Sequence, residues 1–163
     1  MSDIDQLTQA VAVVLKEHRL MLVTAESCTG GGVAEAVTRI AGSSEWFERG
    51  FVTYSNAAKR EMLGIKPVTL KKYGAVSEPV VREMAVGALS HSHAQVAIAV
   101  SGIAGPSGGT PEKPVGTVCF CWSVKHGALV SEIQHLSGDR QAVRERATIV
   151  ALQGLLDLLG VKP

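Results

Sequence analysis

Apolar residues recur at Ile4, Leu7, Val11, Val14 and Leu15, the spacing of one helical face, and the run LMLVTA at 20–25 is short, continuous and apolar, as a buried strand is. After three glycines the helical period returns at Val33, Ala36, Val37 and Ile40, and Gly42 closes that helix. GFVTYS at 50–55 reads as a second strand leading into a short helix from about Ser55 to Leu63, ended by Gly64 and Pro67. Ser77 and Pro79 start a further helix with an apolar stripe of Val81, Met84, Ala85, Ala88 and Leu89. AQVAIAVSG at 94–102 is a buried strand opening into IAGPSGGTPEKP, the longest loop of the chain. Val118, Phe120, Trp122 and Val124 then alternate onto one face, and HGALVSEIQHL returns after a glycine turn, which predicts an antiparallel hairpin. A last helix from about Asp139 to Leu159 turns Val143, Ala147, Val150, Ala151, Leu155 and Leu158 inward. The pattern predicts an α/β fold over residues 1–163: a single layered α/β/α domain whose mixed sheet includes an antiparallel C-terminal hairpin.

Composition narrows the function. With 46% hydrophobic residues in 163, the chain has ample material for one core. Its 16 basic and 15 acidic residues nearly cancel, so no broad electrostatic footprint points to nucleic acid or a membrane surface as partner. A small-molecule substrate fits better. No apolar run approaches the roughly 20 residues that span a bilayer, and the opening MSDIDQLTQAVAVVLKEH is acidic and helically patterned, unlike a signal peptide. A cytoplasmic location is expected. Cys28, Cys119 and Cys121 are odd in number and lack metal-ligand spacing, so reduced thiols and no bound metal are expected.

The stretch ESCTGGG at 26–32 joins a buried strand to a helix. A side chain there lies where open α/β sheets place ligands, and N–H groups of the helix start are available to stabilise a developing oxyanion. Ser27 is a candidate nucleophile on that ground. Alternatively, Ser27 or Thr29 merely caps the helix, a role worth about 1 kcal/mol. Cys28 is a rival nucleophile, because a thiol at a helix N-terminus gains thiolate character, although free cysteine is usually inert and buried. None of the five histidines falls in a glycine turn or a strand-to-loop junction, and neither G-x-S-x-G nor S-x-x-K surrounds Ser27.

A base other than histidine is offered by TYSNAAK at 53–59. Lys59 falls in or just beyond the first turn of the short helix, where the macrodipole disfavours a cation by about 0.3–1 kcal/mol. Serving near neutrality would take a pKa drop of about three units, which burial must largely supply. Otherwise Lys59 is a solvated surface charge. Tyr54 could donate a hydrogen bond or hold serine and lysine in register. Arg140 follows Asp139, a good N-cap, yet opposes the helix dipole; a bound phosphate would resolve the conflict, and otherwise Arg140 is a solvated arginine. Arg144 and Arg146 read as surface residues or salt-bridge partners. Ser101, Gly102 and Gly105 should rim the same sheet edge as Ser27, where glycines let a ligand approach the backbone.

Taken together, TAESCTGG, GSSEWFERGFVTYSNAAK, GAVSEPV, SGIAGPSGG, KPVGTV and SGDRQAVR resemble the CinA C-terminal domain family, from about Val23 to Ala151. The resemblance implies hydrolysis of the carboxamide of nicotinamide mononucleotide to nicotinic acid mononucleotide and ammonia, in pyridine-nucleotide recycling, with no cofactor. It also implies Ser27 as nucleophile, Lys59 as general base and Tyr54 assisting through its hydroxyl, with Thr29, Gly30 and the helix start binding the carbonyl oxygen. Arg140 with the loop around Ser101, Gly102 and Gly105 is expected at the ribose-phosphate end, and a homo-oligomer is expected. The alternatives are a non-catalytic nucleotide-binding or regulatory module of the same fold and a cysteine hydrolase acting through Cys28.

Overall fold

The computed structural model describes residues 2–160. Helix α1 (Asp3–His18) begins on a reciprocal cap between Ser2 and Asp5 and buries Val11 and Leu15 of the expected stripe. Strands β1 (Leu22–Glu26), β2 (Phe47–Val52) and β3 (Val96–Gly102) are parallel, β4 (Thr117–Val124) runs antiparallel to β3, and β5 (Leu129–His135) closes the hairpin. The sheet order is β2-β1-β3-β4-β5. Helices α2 (Gly32–Thr38), α3 (Asn56–Leu63), α4 (Pro67–Tyr73), α5 (Glu78–Ser90) and α6 (Arg140–Leu158) complete it. Helices α1, α2 and α6 cover one face over Leu22, Ile98, Val100 and Phe120. Helix α5, with α3 and α4 against it, covers the other over Val23, Ala25, Ala97 and Cys121. The layered α/β/α reading with a mixed sheet holds.

Four details differ from the sequence expectation. Strand β2 begins at Phe47 and ends at Val52, earlier than GFVTYS, because this edge strand is only half covered and carries Glu48 and Arg49 among its apolar residues. Pro67, read as a stop, is the first residue of α4, where its missing N–H leaves no helical bond unmade. Strand β4 is buried on both faces, since Cys119 and Cys121 lie under α5 while Phe120 and Trp122 lie under α6. On α6 the fully buried stripe includes Leu152 and Leu156, while Val150 and Leu158 sit at its margin.

One close approach sets the position of α3. A Cβ on Gly87 would lie 2.1 Å from the Leu63 carbonyl oxygen, so the end of α3 rests directly on the α5 backbone. That contact brings the buried side of α3, Lys59 and Leu63, over the carboxyl ends of β1 and β2.

Candidate active site

Alternation along β1 decides which way its last residues face. Leu22 packs toward α1, α2 and α6, whereas Val23 and Ala25 pack toward α5. Carried forward, the two-residue period sends Glu26 to the α2 side and Ser27 to the α3 side. The ladder continues past the strand, with the Ser27 N–H donating to Val100 O at 3.0 Å and the Thr53 N–H to Glu26 O at 2.8 Å. Ser27 is therefore fixed by both neighbouring strands at the carboxyl edge of the parallel trio.

Lys59 reaches it from α3. Ser55 caps that helix, its hydroxyl accepting from the Ala58 N–H at 3.0 Å, so Lys59 falls one turn in. Lys59 is 1% exposed. Its Nζ lies 2.9 Å from Ser27 Oγ, 2.9 Å from Thr53 O and 3.1 Å from Tyr54 O. No carboxylate pairs with it among the described residues. Burial lowers its pKa from 10.5 to about 8, which makes the neutral amine about 300 times more abundant near pH 7 than on an exposed lysine.

Counting donors fixes the direction of the Ser27–Lys59 bond. A charged ammonium has three N–H groups for its three neighbours, and Ser27 can then turn its proton toward Tyr54 O, 3.4 Å away. A neutral amine has two N–H groups and one lone pair. The Thr53 and Tyr54 carbonyls can only accept, so they take both N–H groups and the lone pair faces the Ser27 hydroxyl. In that state serine is hydrogen-bonded to a base.

The helix start expected to face a substrate is already occupied. Glu26, 1% exposed, accepts from the Thr29 hydroxyl at 2.5 Å and the Val33 N–H at 2.8 Å through Oε1, and from the Ala34 N–H at 3.0 Å through Oε2. Neither Ser27 nor Thr29 caps α2, whose cap residue is Gly31 with no side-chain bond. A buried carboxylate without a cationic partner is accommodated here by helix N–H groups and the positive end of the dipole. What the turn leaves for a carbonyl oxygen are the Cys28 and Thr29 N–H groups, which have no partner in another described residue; the Gly30 N–H donates to Ser27 O at 3.0 Å. Gly30 and Gly31, at φ +60° and +100°, permit the tight turn.

Cys28 points away, into the core beside α6. Burial, helped by the Glu26 charge, pushes its thiol up to about 12, so it stays protonated and is a poor nucleophile. Tyr54 meets Lys59 through its backbone carbonyl, while its hydroxyl lies 3.1 Å from Arg140 Nη2 at the exposed rim. Arg140 Nη1 donates to Gly105 O at 2.8 Å, and no carboxylate pairs with this guanidinium among the described residues. Ser101 is buried at the end of β3, and its hydroxyl donates to Ala75 O at 2.8 Å. Gly102 is needed for packing, since a Cβ there would meet Val118 Cγ2 at 2.7 Å and Cys28 Sγ at 3.0 Å.

Of two further residues at this edge, the sequence reading passes over Glu26 and takes Arg144 for a surface residue, which it is by exposure. Glu26 was legible only as a charge ending an otherwise apolar strand. Arg144 donates to Cys28 O at 3.1 Å and Thr29 O at 3.3 Å, a link between segments far apart in the chain that periodicity does not reveal.

The lowered lysine pKa has a consequence for stability. The unfolded chain keeps the Lys59 proton to about pH 10.4, whereas the folded chain releases it near 8. Between these values the unfolded state binds more protons, so native stability rises with pH, and below pH 8 the full burial cost stands. Relative to Lys59→Met, the wild type is expected to gain up to about 3 kcal/mol between pH 7 and 10.5. Denaturant unfolding of both across that range checks it, and a difference independent of pH would mean the amine titrates normally.

The chain matches the model of the CinA C-terminal domain over residues 4–159. It is 55% identical to the nicotinamide-nucleotide amidohydrolase PncC of Escherichia coli K12 over 154 residues, 94% of this chain and 93% of that one. It is 50% identical to the protein of that name from Pseudomonas putida, covering 97% of this chain and 98% of that one. The crystal structure of the competence/damage inducible protein CihA from Agrobacterium tumefaciens superposes with a TM-score of 0.94 at 44% identity, over 97% of this chain and 96% of that one. By sequence and by fold, the chain belongs to the CinA C-terminal domain family.

Proposed function

We propose that the protein is a nicotinamide-nucleotide amidohydrolase, acting as one catalytic domain that converts nicotinamide mononucleotide and water to nicotinic acid mononucleotide and ammonia. The observation that carries this reading is the buried Lys59 amine, 2.9 Å from Ser27 Oγ with two carbonyls taking its N–H groups. The names of the relatives from E. coli and P. putida support the substrate class.

The neutral Lys59 amine takes the Ser27 proton as Oγ attacks the carboxamide carbon. Negative charge develops on the carbonyl oxygen, within the reach of the Cys28 and Thr29 N–H groups. The carbon–nitrogen bond then breaks, Lys59 returns the proton to the leaving nitrogen, and ammonia departs from an acyl-serine. Water, deprotonated by Lys59, hydrolyses the ester and regenerates Ser27. Arg140, with its unbalanced charge at the rim and its bonds to Gly105 O and the Tyr54 hydroxyl, suits the phosphate of the nucleotide.

The protein is expected to release ammonia and nicotinic acid mononucleotide in equal amounts from nicotinamide mononucleotide, and Cys28→Ala is expected to keep that activity within a few-fold. Absence of turnover by the wild type would favour a nucleotide-binding module of the same fold, and loss of turnover in a folded Cys28→Ala protein would favour the thiol. Among the described residues no helix is long and apolar enough to cross a membrane, consistent with a small-molecule enzyme of the cytoplasm. Self-association is part of the same reading, supported by the exposed Val130 and Ile133 on edge strand β5.

A further inference from the structure

We propose that Arg144 is a positioning residue for the Ser27 reaction, holding the Cys28–Thr29 peptide so that its N–H meets the reacting carbonyl oxygen; this rests on the amidohydrolase reading above. Arg144 comes from the second turn of α6, on the far side of the turn from Lys59. Its Nε donates to Cys28 O at 3.1 Å and its Nη2 to Thr29 O at 3.3 Å. No carboxylate pairs with it among the described residues.

Arg140 lies four residues earlier on the same helical face and also ends on a carbonyl of the catalytic edge. Like charges at this spacing oppose one another, and no acid partner relieves them. A guanidinium whose hydrogen bonds go only to the nucleophile turn is doing something to that turn rather than balancing surface charge.

The gripped oxygens indicate what. Cys28 O belongs to the same peptide group as the Thr29 N–H, one of the two donors that the turn leaves without a partner. A cation at the oxygen of an amide draws electron density from its nitrogen and makes the N–H a better donor. It also fixes where that N–H points, and oxyanion stabilisation depends on donors that need no reorganisation during reaction. On the other side Glu26 accepts from the Thr29 hydroxyl. Thr29 is therefore held at its side chain by Glu26 and at its carbonyl by Arg144, with its N–H left over. The guanidinium lies close against the turn: a Cβ on Gly30 would come within 3.2 Å of Arg144 Nη2.

The test compares wild type, Arg144→Gln, Arg144→Lys and Arg144→Ala by steady-state kinetics on nicotinamide mononucleotide, with Tm measured for each. Expected for Arg144→Gln is a fall in kcat of about 10- to 100-fold, below the loss from removing a direct oxyanion donor, with KM within about threefold. Arg144→Lys, whose ammonium cannot span both carbonyls in the same way, is expected to fall between Gln and wild type. The pH–rate limb near 8 stays where it is, since Lys59 is untouched. Guanidinium ion, added far below denaturing concentration, restores part of the kcat of Arg144→Ala and none of that of Lys59→Met. A purely structural tie would lower Tm without this kcat-specific loss and without rescue. A folded Arg144→Gln protein with kcat within threefold of wild type overturns the proposal, as does a loss confined to KM or one that guanidinium leaves unrelieved in Arg144→Ala. Those outcomes presuppose turnover by the wild type; its absence would overturn the amidohydrolase reading and this inference with it.

Discussion

Replacing Ser27 with alanine is expected to cut ammonia release about 10⁴-fold or more, leaving the protein folded and still able to bind the nucleotide. The size follows from the role: without Oγ there is no acyl-enzyme, and losing the nucleophile from a comparable hydrolytic unit costs on the order of 10⁴ to 10⁶ in kcat. Stability should change little, because the hydroxyl removed is small and the Lys59 amine keeps the Thr53 and Tyr54 carbonyls. Ammonia assay at pH 8, with calorimetric binding of substrate and a thermal melt, separates chemistry from folding. Retention of more than about one hundredth of wild-type kcat in the folded variant would remove Ser27 from the nucleophile's role.

The second large effect belongs to Lys59. Lys59→Met is expected to lower kcat about 10²- to 10⁴-fold, the usual contribution of a general base, and Lys59→Arg to be as poor, since a guanidinium does not give up its proton near neutrality. The pH dependence carries the sign. The active form has the amine neutral, so kcat/KM of the wild type should rise about tenfold per pH unit below 8 and level off above it. The residual activity of Lys59→Met should lack that limb. A wild-type profile flat from pH 6 to 9 would mean that Lys59 does not act as the base.

How much of this was legible in the sequence differed by residue. The strand-to-helix turn at Ser27 and the cap at Ser55 are local features, and they place the candidate nucleophile at a strand end and Lys59 one turn into α3. That Lys59 is buried was not local. It depends on α3 resting on α5 at Gly87, a contact between segments with no common periodicity, and the lysine occupies a position that an apolar stripe would have given to a leucine. Glu26 is obscure in the sequence for a related reason, because a charge ending a buried strand shows its purpose only when the helix N-terminus it meets is placed beside it. The residues themselves offer Lys59 as a base for Ser27, and the resemblance to known motifs implies the same pairing. It implies an assisting hydroxyl on Tyr54; that hydroxyl meets Arg140, and the Tyr54 carbonyl meets the lysine, a contact no sequence pattern announces.

The opposite facing of Glu26 and Ser27 makes the chemistry a matter of parity. Glu26 brings a carboxylate and Ser27 a hydroxyl to the end of β1, on opposite faces of the sheet. Inserting or deleting one residue in β1, with the flanking elements held in place, would exchange their sides. The carboxylate would then arrive beside the Lys59 amine, and an ion pair there would hold the proton on the lysine and raise its pKa. A change of two residues would preserve the sides while altering the reach. The count of residues from the first strand to the turn is therefore constrained as odd or even before it is constrained in length, and the state of the base depends on that count as much as on what surrounds it.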